Sequence, residues 1–530
     1  MKFLKKFSIA VLLIFIAVTP ILWVLAKSVN QTIIKDYLNN QISQLTKQNS
    51  RIYGDLSWRL LPRPSLKITD IEIGEKNNKD SYFVKLDNVL FNLKITPLLR
   101  GKIVFSEFVV NGFTINIPAD SHNNNTLLAN KVPANTTPIT NRPVGNHGFS
   151  ANNMAQRFAI ERFLLSNGQI TLGQQQTKKI NFVNLQIGAE QFNLQRKSFP
   201  LQLKGKLNME NSDGVLPTKA NFTFTGNIAL PATLFHTPII SLSDLILTGQ
   251  LSINDLNLKQ FKMKKIDAST ELKQGILKLS PLSAILYNGE SVGNLSYEHS
   301  QKKLIINQTS TNININALLH DLGKDKILQG SIDFALHAQI SMKNGSWQDN
   351  IIGNGSLTIK DGAIEAVNLD KMIFGTGDLI NNIIVNKTPQ SQQLVVDNFA
   401  NLLFTGSTKF KLFTFQYNIQ NAKLQTNSLI LQTDKLQLTG NSQLDLNTNN
   451  LESHLLAKVI LLDNNLEKIQ QLLGGNFPIY ISGPLANPVI LPDLKIINAL
   501  LSTTLLKSVI KKNNKHIQQK LNKMLAKAIN

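Results

Sequence analysis

A mostly β fold is predicted by two features: apolar–polar alternation with a period of two, and glycine-bearing pairs punctuating the alternating runs. One face of each run is apolar and the other polar, as in an antiparallel sheet with one wet side. An uncharged N-terminal stretch adds a transmembrane helix, and a basic stretch with a period near four adds an amphipathic C-terminal helix.

The 530 residues suffice for several domains or one large elongated one, and 42% are hydrophobic. There are no cysteines, which excludes disulfides, thiolate zinc sites and iron–sulfur clusters and suits an oxidising compartment. Lys and Arg number 55 against 34 acids, a net +21 that favours anionic surfaces. Residues 494–530 carry eight lysines and no acid.

Residues 1–27 form a cytoplasmic stub and an anchor. Phe7–Ala26 has no charge, and at 1.5 Å per residue a helix of that length spans about 30 Å of hydrocarbon. Phe7, Leu12 and Ile16 lie along it, Pro20 marks a kink, Trp23 an interfacial position, and Ala26 the end. Lys2, Lys5 and Lys6 precede it, which keeps the N-terminus cytoplasmic and exports the body. A cleavable signal peptide ending at Ala26 is the alternative, and it exports the body equally. The expected location is therefore the inner membrane, single-pass, with the bulk of the chain periplasmic.

Residues 28–50 are expected to be an amphipathic helix, with Ile34, Leu38, Ile42 and Leu45 on one face. The period then changes to two over 51–117: Phe91, Leu93 and Ile95 alternate with polar residues, as do Phe113 and Ile115. Residues 118–158, rich in Asn, Thr and Pro, read as a flexible insertion. Alternation returns over 159–345, at Phe222/Phe224 and Leu277/Leu279, and over 346–493, at Phe413/Phe415. Ser106–Ile115, Glu161–Leu172, Glu271–Leu279 and Thr358–Ala366 form a weak repeat, read as a strand, a Gly turn and a returning strand. Residues 494–530 form the basic helical tail. Its lysines Lys507, Lys511, Lys512, Lys515, Lys520 and Lys523 are candidate contacts to an anionic membrane; docking a partner, or packing on the sheet, are the other readings.

Catalytic motifs are missing from the sequence. It has no HExxH, Walker A or GxSxG pattern, and the eight histidines lack ligand spacing. His320 and His337 lie near Asp321 and Asp333, where a structural role is the simpler reading. Gly353/Gly355, Gly375/Gly377 and Asp361-Gly362 read as turns. No enzyme activity, cofactor or metal is expected. The lysines are not interleaved with aromatics, so no nucleic-acid partner is expected either.

Several segments in order resemble the AsmA family of Gram-negative envelope proteins. They are Gly54–Glu75 (GDLSWRLLPRPSLKITDIEIGE), Lys85–Ile117, Glu271–Glu298 with its L-x-P-L and L-Y-x-G patterns, Gly353–Ile373, and Phe477–Leu494 (FPIYISGPLANPVILPDL). The resemblance implies an elongated, curved β-sheet forming an apolar groove that carries phospholipid or a related lipid toward the outer membrane. A non-transporting scaffold for outer-membrane proteins is the rival reading. An outer-membrane partner is expected to meet the C-terminal tail, and no catalytic residue is carried over. The candidate groove lining is Phe91, Leu93, Ile95, Phe113, Ile115, Phe222, Phe224, Leu277, Leu279, Phe413 and Phe415. For each of them a closed core contact is the alternative.

Overall fold

The computed structural model describes residues 31–46, 48–59, 64–74, 83–94, 105–117, 159–172, 178–193, 195–211, 218–231, 242–258, 260–323, 328–342, 346–365, 367–375, 377, 406–460, 464–485, 488–493, 496, 497, 499 and 500. The expected anchor (Phe7, Leu12, Ile16, Pro20, Trp23, Ala26), Ile95, the 118–158 insertion and the tail lysines lie outside these residues. Among the described residues no helix is long and apolar enough to cross a membrane. Two units partition the chain, Met1–Leu282 and Ser283–Asn530.

In the first unit, helix α1 (Gln31–Thr46) leads into the short strands β1 (Ser50–Ile52) and β2 (Leu56–Arg59), both paired with β3 (Ser65–Ile73). β4 (Phe83–Leu93) and β5 (Phe105–Ile117) follow antiparallel. The expected helix is present over a shorter span, with Ile34, Leu38 and Ile42 buried at its four-residue spacing. Each such side chain contributes roughly 1.5–3 kcal/mol when taken from water.

The antiparallel expectation is corrected at the next step. β5 and β6 (Ala159–Leu172) are parallel, with Glu107 opposite Arg162 and Ile117 opposite Leu172. Two parallel neighbours need a crossover of a dozen or more residues, and the Pro- and Asn-rich stretch 118–158 supplies its length. Antiparallel pairing resumes through β7 (Lys178–Asn193), β8 (Phe199–Asn211), β9 (Thr218–Ala229), β10 (Ile246–Leu258) and β11 (Phe261–Lys273). The boundary between units falls within β12 (Ile276–Leu286).

The second unit is a run of antiparallel neighbours. β13 (Gly289–Glu298), β14 (Lys303–Asn314), β15 (Leu328–Ser341), β16 (Ile351–Glu365) and β17 (Ser407–Gln420) pair in order. β18 (Lys423–Gln432), β19 (Leu436–Asp445), β20 (Asn450–Val459), β21 (Phe477–Pro484) and β22 (Val489–Pro492) continue the series. Helices α2 (Ile315–Asp321) and α3 (Asn464–Leu472), with a helical segment at 369–375, were not foreseen in the strand pattern. Asn314 caps α2, its Oδ1 accepting from the Ala317 N–H at 2.9 Å.

Several glycine pairs expected to be turns lie inside strands, two of them at bulges. β5 runs straight through Asn111-Gly112, β6 through Asn167-Gly168, and β16 through Asp361-Gly362. Gly112, Asn167 and Asp361 have φ of 82°, 54° and 48°, and the register slips beside Asn167 and Asp361. The left-handed conformation serves a tight hairpin or a bulge equally well. Of the four repeat segments, Glu271–Leu279 contains a true hairpin, between β11 and β12; Gln274 and Gly275 turn it with φ of 53° and 76°. Gly353 and Gly355 likewise sit inside β16 rather than in a turn.

Candidate functional site

Side chains on one face of each unit are apolar and divide into a closed part and a half-exposed part. In the first unit, Phe91 pairs with Phe108 and Phe108 with Phe163 across β4, β5 and β6. Their rings continue through Phe192 and Phe199, with successive centroids 5.0, 5.4, 5.2 and 5.3 Å apart. All five are buried, within one cluster that also holds Ile34, Leu38 and Ile42 of α1. Of the expected lining, Phe91, Leu93, Phe113 and Ile115 lie in this buried cluster.

From β8 onward the same face opens. Leu203, Phe224, Leu251 and Ala268 form one cross-strand row, and Gly205, Phe222, Ile253 and Ile266 the next. Leu203, Phe222, Leu251, Ile253 and Ile266 are half-buried, as are Leu277 and Leu279 of β12. The phenylalanines lie low on the sheet. A Cβ on Gly226 or Gly249 would meet the Phe224 ring at 2.9 or 2.7 Å, and one on Gly205 would meet Phe222 at 2.9 Å. Gly205 and Gly249 on neighbouring strands, and Gly226 on the strand of Phe224 itself, thus leave room for the rings to lie flat, so Phe224 is a floor residue rather than a projecting one.

In the second unit two apolar rows bound a strip. Ile313, Ile332, Ile359, Phe413, Leu431, Leu438, Ala457 and Phe477 align across β14–β21. All of them except Phe413 are buried. Helical elements stand at this end: the α3 residue Gln470 accepts from the Val459 N–H at 2.8 Å, and the Leu369 N–H donates to the Thr408 hydroxyl at 2.8 Å. Toward the other strand ends, Ala338, Ile351 and Ile419 form a second buried cluster with Leu446 against it. Ala338 and Ile332 are six residues apart on β15, so the margins stand about 20 Å apart at 3.3 Å per residue.

Between them Phe334, Leu336, Leu357, Phe415 and Tyr417 are half-buried. Phe413, Phe415 and Tyr417 run along β17 with centroids 5.5 and 6.1 Å apart. The Tyr417 hydroxyl donates to the Ala335 carbonyl at 2.9 Å, and burial pushes its pKa up, so the phenol stays neutral. Polar groups on this face are satisfied locally: the Ser291 and Ser310 hydroxyls bond at 2.7 Å, and those of Ser442 and Ser453 at 2.7 Å.

The opposite face is polar. One register row reads Asn294, Asn307, His337, Asn354, Asn418, Gln425, Gln443 and Glu452. His337 pairs with the Asn307 amide there, and Asp333 pairs with Lys360 at 3.3 Å, so neither forms a histidine–carboxylate site. No group of three or more His, Asp or Glu among the described residues could hold a metal ion.

The bounded strip was invisible to alternation alone. Phe334, Leu336, Leu357 and Tyr417 were not among the expected lining; Gly353 and Gly355 interrupt the apolar pattern beside Leu357 on β16, while Tyr417 continues the alternation of Phe413 and Phe415. They share a face through register, which sequence spacing on one strand does not reveal.

A family model described as the AsmA family matches residues 1–214 and 225–429. The chain belongs to the AsmA family. No curated protein and no solved structure matches it. The match covers α1, the aromatic row of the first unit and the strip through β17.

Proposed function

We propose that this AsmA-family chain carries phospholipid, or a related envelope lipid, along its apolar face from the inner toward the outer membrane, and supports outer-membrane biogenesis. The observation that carries this reading is the half-exposed apolar strip, Phe334, Leu336, Leu357 and Phe415, bounded by buried rows and backed by a polar face. An acyl chain laid there loses contact with water at about 0.8 kcal/mol per CH₂. These four side chains are aliphatic or flat aromatic, so a chain passing over them meets no deep well and can slide. Its headgroup stays in solvent. No bond is made or broken, and the reading needs no catalytic residue. Residues 1–27 tether the body to the inner membrane, and the lysines of 494–530 meet an anionic surface or partner.

The test uses the full chain, purified in mild detergent that is then exchanged away, with bound lipid identified by mass spectrometry. Phospholipid should remain with the protein. Leu357→Arg and Phe415→Arg should remove most of it while leaving the fold intact by circular dichroism, since both side chains already meet solvent. A lipid-free wild type that instead retains outer-membrane proteins would overturn transport in favour of a scaffold.

A further inference from the structure

We infer that the polar face of β8 and β9 in the first unit, through Lys204, Lys206 and Lys219, docks on the headgroup layer of an anionic bilayer. This surface lies opposite the apolar rows and does not involve the cargo. On β8, Lys204 and Lys206 alternate with Leu203, Gly205 and Leu207. Lys219 sits on β9 opposite Asn208, which is two residues beyond Lys206, and it alternates with the buried Thr218 and Ala220. All three lysines are exposed. At 3.3 Å per residue and 4.8 Å between strands, consecutive ones stand about 7 and 8 Å apart.

Their charge is unopposed. β8 and β9 hold one acid, Glu210, which lies opposite Lys179 in register. On neighbouring strands Asp267 is engaged by Lys265 at 2.7 Å, and Asp255 accepts from the Asn221 amide at 3.3 Å. Among the described residues none of the three lysines pairs with a carboxylate. β8 and β9 are each paired on both sides, so these lysines do not guard an open sheet edge.

The side chains around them select the partner. Beside Lys204 in register stand Thr223 and Ser252, and beside Lys206 stand Asn221 and Asn254. A protein partner needs a desolvated core of aromatic or aliphatic anchors, and its interface is depleted in lysine. A headgroup layer needs only positive charge within a Debye length, each lysine there adding roughly fivefold in affinity. The uncharged run Phe7–Ala26, expected to be an anchor, belongs to the same unit, and tethering raises the concentration of this face at a bilayer.

The chain has no cysteine, so Thr223→Cys, opposite Lys204, takes a single fluorophore. The labelled full chain is reconstituted into vesicles of phosphatidylcholine alone, or of equal phosphatidylcholine and phosphatidylglycerol, with a nitroxide on some headgroups. Quenching should be several-fold stronger in the mixed vesicles and should fade with added salt. In Lys204→Gln/Lys206→Gln/Lys219→Gln it should fall to the phosphatidylcholine level, with circular dichroism unchanged because these side chains already meet solvent. Equal quenching in both vesicles overturns the inference, as does a triple variant that keeps the wild-type signal. Polyglutamate that binds wild type but not the triple variant, without stronger quenching in mixed vesicles, assigns the face to an acidic protein and overturns it too.

Discussion

Two sets of aromatic rings, one in each unit, have nearly the same spacing and opposite fates. Phe91, Phe108, Phe163, Phe192 and Phe199 run across five strands and are buried under the cluster that includes α1. Phe413, Phe415 and Tyr417 run along β17 alone and remain half-exposed. Ring-to-ring packing is therefore not what distinguishes a core from a track. The closed row belongs to one continuous buried cluster, to which the α1 stripe Ile34, Leu38 and Ile42 also contributes. In the second unit the helical elements are engaged at one margin, which leaves the strip beside it for another occupant.

The largest effect should come from breaking the closed row. Phe108→Ala should cost about 3–5 kcal/mol, since the fully buried ring leaves a cavity between Phe91 and Phe163. Urea unfolding measures it, and an effect below that of Phe415→Ala would erase the contrast. Phe415→Ala should cost about 1–2 kcal/mol, because part of the ring already lies in water, and its main effect should appear as lost lipid.

Gly355→Ala sharpens the comparison from below. The new Cβ would lie 2.0 Å from the Ala335 carbonyl oxygen and 2.5 Å from the Tyr417 hydroxyl oxygen, so the β15–β16 backbone must shift and the hydrogen bond between those two groups is displaced. A destabilisation of about 1–3 kcal/mol is expected, with reduced lipid retention.

The smallest effect is acidic. Hydrogen bonds from the Thr448 N–H and hydroxyl hold the Asp445 carboxyl below its usual value at the β19–β20 turn. A lowered folded pKa contributes stability above the unfolded value of about 3.9, lost as pH falls through the folded value. Asp445→Asn should therefore lower stability slightly near neutrality and flatten the acid limb, the two profiles converging as the pH falls below about 4.

Much of this was legible in the chain. Ile34, Leu38 and Ile42 announced a packed helix by their spacing, and Phe222, Phe224, Phe413 and Phe415 announced strands by theirs. Asn288-Gly289 does sit at a hairpin, between β12 and β13, but Asn111-Gly112, Asn167-Gly168 and Asp361-Gly362 were misread as turns. The left-handed residue they supply is common to hairpins and bulges, and the length of strand on either side decides between them. The parallel β5–β6 pair was missed because strand direction depends on where a connection returns, which local alternation does not encode.

By itself the sequence determined the local chemistry: which residues alternate, where charge accumulates, and which segments carry a helical stripe. These follow from bonded geometry and side-chain type, acting over a few residues. Only the tertiary structure decided which greasy rows are sealed and which stay half in water. That choice depends on cross-strand register and on which rows join a continuous buried cluster, both set by contacts between residues far apart in the chain.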